Sequence, residues 1–178
     1  PASWVSNFLD QVLSLSAWRS SICGHMFSPQ AGAASQIYIF GWWAGAVALM
    51  WAASGADFTT TFLVLWLLAR ATVFHLITTF REMCDHFGLQ PGGVFTFTRD
   101  TTCHGFWRKL IHPRNNGYHL THHLLPAVPY YRLPEAHRLL QSQEIFQRRA
   151  KVCTAYFAGP DVVTQAWQCQ ERSRWTER

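Results

Sequence analysis

The chain has 178 residues, a formal net charge of +5, and an aromatic-rich composition with nine Trp and thirteen Phe but only 14% charged residues. That length suffices for one domain with a real core. The odd set of cysteines, Cys23, Cys84, Cys103, Cys153 and Cys169, contains no CxxC pair, which argues against a secreted disulfide framework, and no Lys/Arg run is dense enough for a nucleic-acid arm.

The chain opens at Pro1 with no basic n-region ahead of its apolar part, so it is expected to be a piece of a longer protein. Residues 4–22 place Trp4, Val5, Phe8, Leu9, Val12, Leu13, Leu15 and Trp18 at helical spacing, opposite Ser, Asn and Gln. Such a helix can lie in a membrane interface or on a protein surface. With the loop at 28–35 it makes residues 1–36 an amphipathic interfacial segment.

Residues 37–54 carry no charge, Ser54–Asp57 form a turn, and 58–78 are again apolar. Each run approaches the ~20 residues that cross a bilayer core. The spacing predicts a transmembrane hairpin over 37–78, and a buried hairpin in a soluble protein is the competing reading. Its turn carries Asp57 and no Lys or Arg, and all the Lys and Arg except Arg19 and Arg70 follow Thr78. The turn is therefore expected on the non-cytoplasmic side, with the later residues cytoplasmic. Arg70 and His75 lie inside the second run, where a charge faces protein, water or the interface.

Beyond the hairpin, the helix should continue to Gly88 and stop at Pro91-Gly92-Gly93. Residues 94–117 read as mostly loop with a short strand-like start, ending in the turn signal "PRNNG". A short helix should run from near Tyr118 to before Pro126, followed by extended "PAVPYYRLP" and an amphipathic helix over 134–151. The expected organisation is all-α and integral to the membrane. The hairpin leads into a cytoplasmic helical cap over 79–140 that bears a histidine-rich metal site, and 141–178 form a polar C-terminal tail.

In "GYHLTHHLLPAVPYYRLPEAH", His119, His122 and His123 stand at i, i+3 and i+4. On a helix they share one face. Three neutral imidazoles there suit Fe, Zn, Cu or Ni, whereas three protonated ones would repel one another. Upstream, Glu82 and His86 stand four apart in "REMCDH" and can serve the same metal, although a surface turn with Arg81 and Asp85 would look the same. Zinc hydrolysis would want HExxH, which is missing, and a Cys84, His86, Cys103, His104 zinc set fits no standard finger spacing. No GxSxG, Walker A or GxGxxG occurs.

The segment "NNGYHLTHHLLPAVPYYRLPEAH" resembles the third histidine box, HxxHH, of the integral-membrane fatty acid desaturases. The course Pro126, Pro129, Tyr131, Leu133, Pro134 and His137 is similar to its flank. "REMCDHFG" resembles the segment after the last membrane helix, where a further histidine, matching His86, joins the metal site. "TRD" at 98–100 and Trp107 also fall where related members carry similar residues. The resemblance covers roughly residues 37–140.

It implies a membrane-embedded bundle under a cytoplasmic cap, with a di-iron centre on His86, His119, His122 and His123 and, less firmly, Glu82. Such a centre uses O2 to convert an acyl chain to a cis alkene, with electrons from ferredoxin or a cytochrome b5-type carrier. The protein offers no side chain able to take hydrogen from such a C–H bond, so a redox metal suits the chemistry. The family's two earlier boxes have no counterpart here, since residues 1–74 hold one histidine, His25. The remaining ligands are thus expected upstream of Pro1, and the isolated chain is expected to be inactive. A hydroxylase of the same superfamily, acting on a lipid, alkane or carotenoid, and a degenerate non-catalytic membrane protein are the competing functions.

Overall fold

The computed structural model describes residues 3–23 and 32–167. His25, residues 28–31 of the expected loop at 28–35 and the end of the expected tail lie outside them, and the rest of that loop from Ala33 is helical. The chain divides into two compact units, Gln11–Leu76, and Pro1–Asp10 with Ile77–Arg178.

The amphipathic N-terminal stretch forms two helices, α1 (Trp4–Val12) and α2 (Leu15–Cys23), rather than one. Ser14 stands at the break: its N–H closes the end of α1 on the Gln11 carbonyl at 3.2 Å, and its carbonyl accepts from the Trp18 N–H of α2 at 3.0 Å. A long apolar element, α3 (Ala33–Ala69), follows and is interrupted at Gly55, whose φ of 80° and ψ of 172° are non-helical. Only glycine takes this conformation without strain. Trp43 and Trp66 would stand about 34 Å apart on a continuous helix. Their rings lie 5.0 Å apart, so the chain reverses at Gly55. Thr59, one turn on, donates its hydroxyl to the Gly55 carbonyl at 2.9 Å. The reversal takes less chain than the four-residue turn expected, and Asp57 is helical.

A π-helical turn, Arg70–Phe74, connects α3 to α4 (His75–His86). The Arg70 guanidinium lies 5.5 Å from the Trp66 ring and 5.1 Å from that of Phe74. His75 is buried, its Nε2 3.0 Å from the carbonyl of Val12, one of the acceptors that a helix end leaves open. The helical run Ala33–His86 is long and apolar enough to cross a membrane. It leaves Ile37, Trp42, Leu49, Trp51, Phe58, Leu65 and Leu68 exposed.

In the other unit α4 buries Phe80, Met83 and Cys84, the i, i+3, i+4 face of an amphipathic helix. They pack with Cys103, Ile111, Cys153, Tyr156, Val163 and Trp167, and Trp4, Phe8 and Phe87 close over them. Gly88 ends the helix with φ of 80°, and a Cβ there would stand 2.8 Å from the Ala166 carbonyl.

The stretch expected as loop folds into α5 (Val94–Phe97), β1 (Asp100–Thr101), α6 (Phe106–Ile111) and a 3-10 turn, Pro113–Asn115. Then come α7 (His119–Leu124), a 3-10 turn at Tyr130–Arg132, α8 (Leu133–Gln141), α9 (Glu144–Arg149), β2 (Val152–Cys153) and α10 (Val163–Ala166). The helix expected over 134–151 is split at Ser142, whose hydroxyl turns back to the Leu139 carbonyl at 2.7 Å. β1 and β2 pair in parallel, Asp100 with Val152 and Thr101 with Cys153.

The polar tail expected from residue 141 is corrected as far as Trp167. Phe146, Val163 and Trp167 are at most 2% exposed. Enough apolar residues punctuate this polar stretch to complete a core that α4 alone cannot close.

Candidate metal centre

α7 is built where backbone approaches backbone. A Cβ on Gly117 would stand 2.3 Å from the Thr101 carbonyl oxygen, so only glycine fits beside β1. Thr101 in turn donates its N–H to the Gly117 carbonyl at 2.6 Å. Asp100, next in β1, accepts from the Thr121 N–H at 3.0 Å and from the Thr121 hydroxyl at 2.6 Å. A carboxylate at the first turn of α7 satisfies open N–H donors and favours the helix dipole. His137 holds the same Asp100 oxygen through Nδ1 at 2.8 Å. That gives the fourth histidine of the box segment its place: it is buried, and it clamps the carboxylate that caps α7.

His119 and His123 lie one turn apart with ring centroids separated by 4.6 Å. His86, at the end of α4, faces them. Its Nε2 is 3.0 Å from Nε2 of His119, which is 3.1 Å from Nε2 of His123. One ring nitrogen from each lies within 4.8 Å of the others. His122 and Glu82 do not join this group. On a helix His123 is about 40° round from His119, while His122 is about 60° away on the other side. The His122 ring lies 5.9 Å from that of His123, and its side chain is exposed. Glu82 turns to Arg81 at 3.1 Å on the surface. Cys84 and Cys103 belong to the apolar core and His104 is exposed, so the zinc set does not assemble.

The three imidazoles fit a metal ion. His86 donates Nδ1–H to the Phe97 carbonyl at 3.0 Å, which leaves its Nε2 lone pair toward the cluster. Burial, then the neighbouring His86, His123 and His122, hold the His119 pKa down at about 3. Burial, then His86 and His122, also lower that of His123. His119 and His123 are thus supplied as neutral imidazoles. Two ligands at right angles, each ~2.1 Å from an ion, stand about 3.0 Å apart, which is the spacing found here. The Phe97 ring lies parallel to His86 at 5.6 Å and edge-on to His123 at 5.2 Å, forming an apolar wall.

A second buried carboxylate lies behind the cluster. Asp85 Oδ1 is 3.1 Å from His112 Nε2, and His112 Nδ1 is 2.7 Å from the Tyr156 hydroxyl. Asp85 Oδ2 faces His119 Nδ1 at 3.9 Å. Burial raises the pKa of Tyr156, so its O–H donates. His112 then accepts at Nδ1 and donates Nε2–H to the carboxylate, the one tautomer that satisfies both neighbours. Sequence reasoning did not find Asp85, His112, Tyr156 or Asp100 as parts of the site. Asp85 had one signal, its position beside His86. A lone histidine in a turn and a tyrosine near the C-terminus had none.

A family model described as fatty acid desaturase matches residues 3–153, which include every histidine of the cluster. No curated protein and no solved structure matches the chain. A match over most of the chain, with His86 brought from another helix to the HxxHH face, leaves one assignment: the chain belongs to the fatty acid desaturase family.

Proposed function

We propose that the chain is the C-terminal portion of a di-iron acyl-lipid desaturase. The observation that carries this reading is the convergence of His86, His119 and His123. In it His86, His119 and His123 hold iron, with His122 on the same helix and, less firmly, Glu82 as further ligands. Bound iron supplies the O2-dependent redox chemistry that side chains lack. The chain's own part is to present neutral imidazoles, to wall the site with Phe97, and to fix the ring of His86 through the Phe97 carbonyl. These ligands are too few for two irons, so the remaining ligands come from outside this chain and the chain alone does not turn over.

In the same reading the two arms of α3, continued to Thr78, cross the membrane as a hairpin with Gly55 at its non-cytoplasmic tip. The exposed apolar side chains of α3 and the basic residues after Thr78 support this. The metal-bearing cap is cytoplasmic, the substrate is a membrane acyl chain, and electrons come from ferredoxin or a cytochrome b5-type carrier.

The test is expression of the chain alone and with the upstream part of its gene. Iron per chain is measured, and cellular acyl chains are profiled by mass spectrometry. New cis double bonds that require the upstream part and vanish in His119→Ala are expected. Hydroxylated chains in their place would assign the hydroxylase, and neither iron nor product would assign the non-catalytic reading.

A further inference from the structure

We propose that Asp85, backed by His112 and Tyr156, is the positioning group for His119, setting which nitrogen it offers to the metal and how strongly. This deepens the metal reading above and rests on it.

Asp85 lies in the wall between the core and the cluster, with its side chain only 3% exposed. A buried carboxylate is costly unless polar neighbours compensate it. Two imidazoles approach its two oxygens, His112 at Oδ1, 3.1 Å away, and His119 at Oδ2, 3.9 Å away. His112 is at 0% side-chain exposure and stacks on Tyr156 at an interplanar angle of 11°. Tyr156 is itself 4% exposed, within the aromatic group of Phe80 and Phe157. The order Tyr156 O–H to His112, His112 N–H to Asp85, Asp85 toward His119 is therefore fixed from the core outward.

At 3.9 Å the carboxylate is beyond hydrogen-bond length but within electrostatic range of Nδ1, where its charge favours the proton on that nitrogen and Nε2 as the donor; Nε2 is the atom 3.0 Å from His86 and 3.1 Å from His123. The same negative charge makes the ring a stronger donor to a cation. His86 obtains its orientation differently, from a neutral carbonyl, so the two ligands differ in basicity by construction.

The test uses the full chain in detergent micelles with Co2+ alone as probe. Affinity is measured by titration, ligand field by the visible absorption bands, and fold by circular dichroism and melting. The unaltered chain should bind Co2+, and His119→Ala should abolish binding. Asp85→Asn should weaken binding by about 10- to 100-fold and shift the bands. Tyr156→Phe deletes one hydroxyl and keeps the ring. It should weaken binding about two- to five-fold with a smaller shift in the same direction and an unchanged helical spectrum. His104→Gln, exposed and outside the cluster, should match the unaltered chain. If Asp85→Asn fails to fold, Tyr156→Phe decides the matter. Co2+ affinity and bands unmoved in the folded variants, with His119→Ala still abolishing binding, would overturn the positioning role and leave the metal reading standing. Absence of Co2+ binding in the unaltered chain would overturn both.

Discussion

The histidines of the candidate metal site are each approached by an oxygen atom, directly or through the helix that carries them. His86 is set by the Phe97 carbonyl, His119 faces Asp85, and the helix carrying His119 and His123 is capped by Asp100. Asp100→Ala would leave the Thr121 N–H, the Thr121 hydroxyl and His137 without their acceptor in a buried place. Leaving a buried donor without its acceptor costs roughly 1–3 kcal/mol. Thermal unfolding of the solubilised chain should show a loss of that size, whereas Glu82→Gln should change little because Glu82 is exposed. The thiols behave oppositely to reactive cysteines. Burial raises the pKa of Cys84 and Cys153, and pushes that of Cys103 up to about 12. Iodoacetamide at pH 8 should leave all three unmodified in the folded chain and label them after denaturation, as read by peptide mass spectrometry. Above pH 9 an unfolded Cys103 loses its proton while the folded one keeps it. The unfolded chain then binds fewer protons, and stability should fall as pH rises from 9 toward 12.

At the scale of elements, legibility followed the length of chain that a signal needs. The α7 helix was readable because i, i+3, i+4 histidines and a preceding glycine are local. It spans His119–Leu124, within the bounds that Tyr118 and Pro126 suggested. The histidine face was only partly readable, since a six-residue helix points His122 away from the partner that His119 and His123 share. The 94–117 segment hid its helices because α5 and α6 are four and six residues long, too short for a periodic pattern. Gly117 has a role no pattern reveals, the close passage of β1. Gly117→Ala should push the Thr101 carbonyl away and shift α7. The expected outcome is about 1–3 kcal/mol of destabilisation on thermal melting, together with weaker Co2+ binding.

For the molecule as a whole, composition exposed the division between an apolar half and a basic half and left the closing of the core unseen. Parallel pairing of two-residue strands about fifty positions apart leaves no trace in periodicity. The hairpin makes a claim about sidedness that labelling can check. A cysteine introduced at Gly55 and one introduced at Tyr131, 64% exposed, should react with an impermeant maleimide from opposite sides of a sealed membrane. Reaction from the same side would remove the membrane hairpin.

β2 gives the C-terminal segment leverage over metal chemistry that it never touches. Asp100 donates its N–H to the Lys151 carbonyl and Thr102 donates to that of Cys153, so the carboxylate capping α7 hangs from this segment. Tyr156, three residues beyond the end of the family match, props His112 from the same stretch. On the proposed reading, changes in the C-terminal segment would adjust the grip on the ion without altering a ligand.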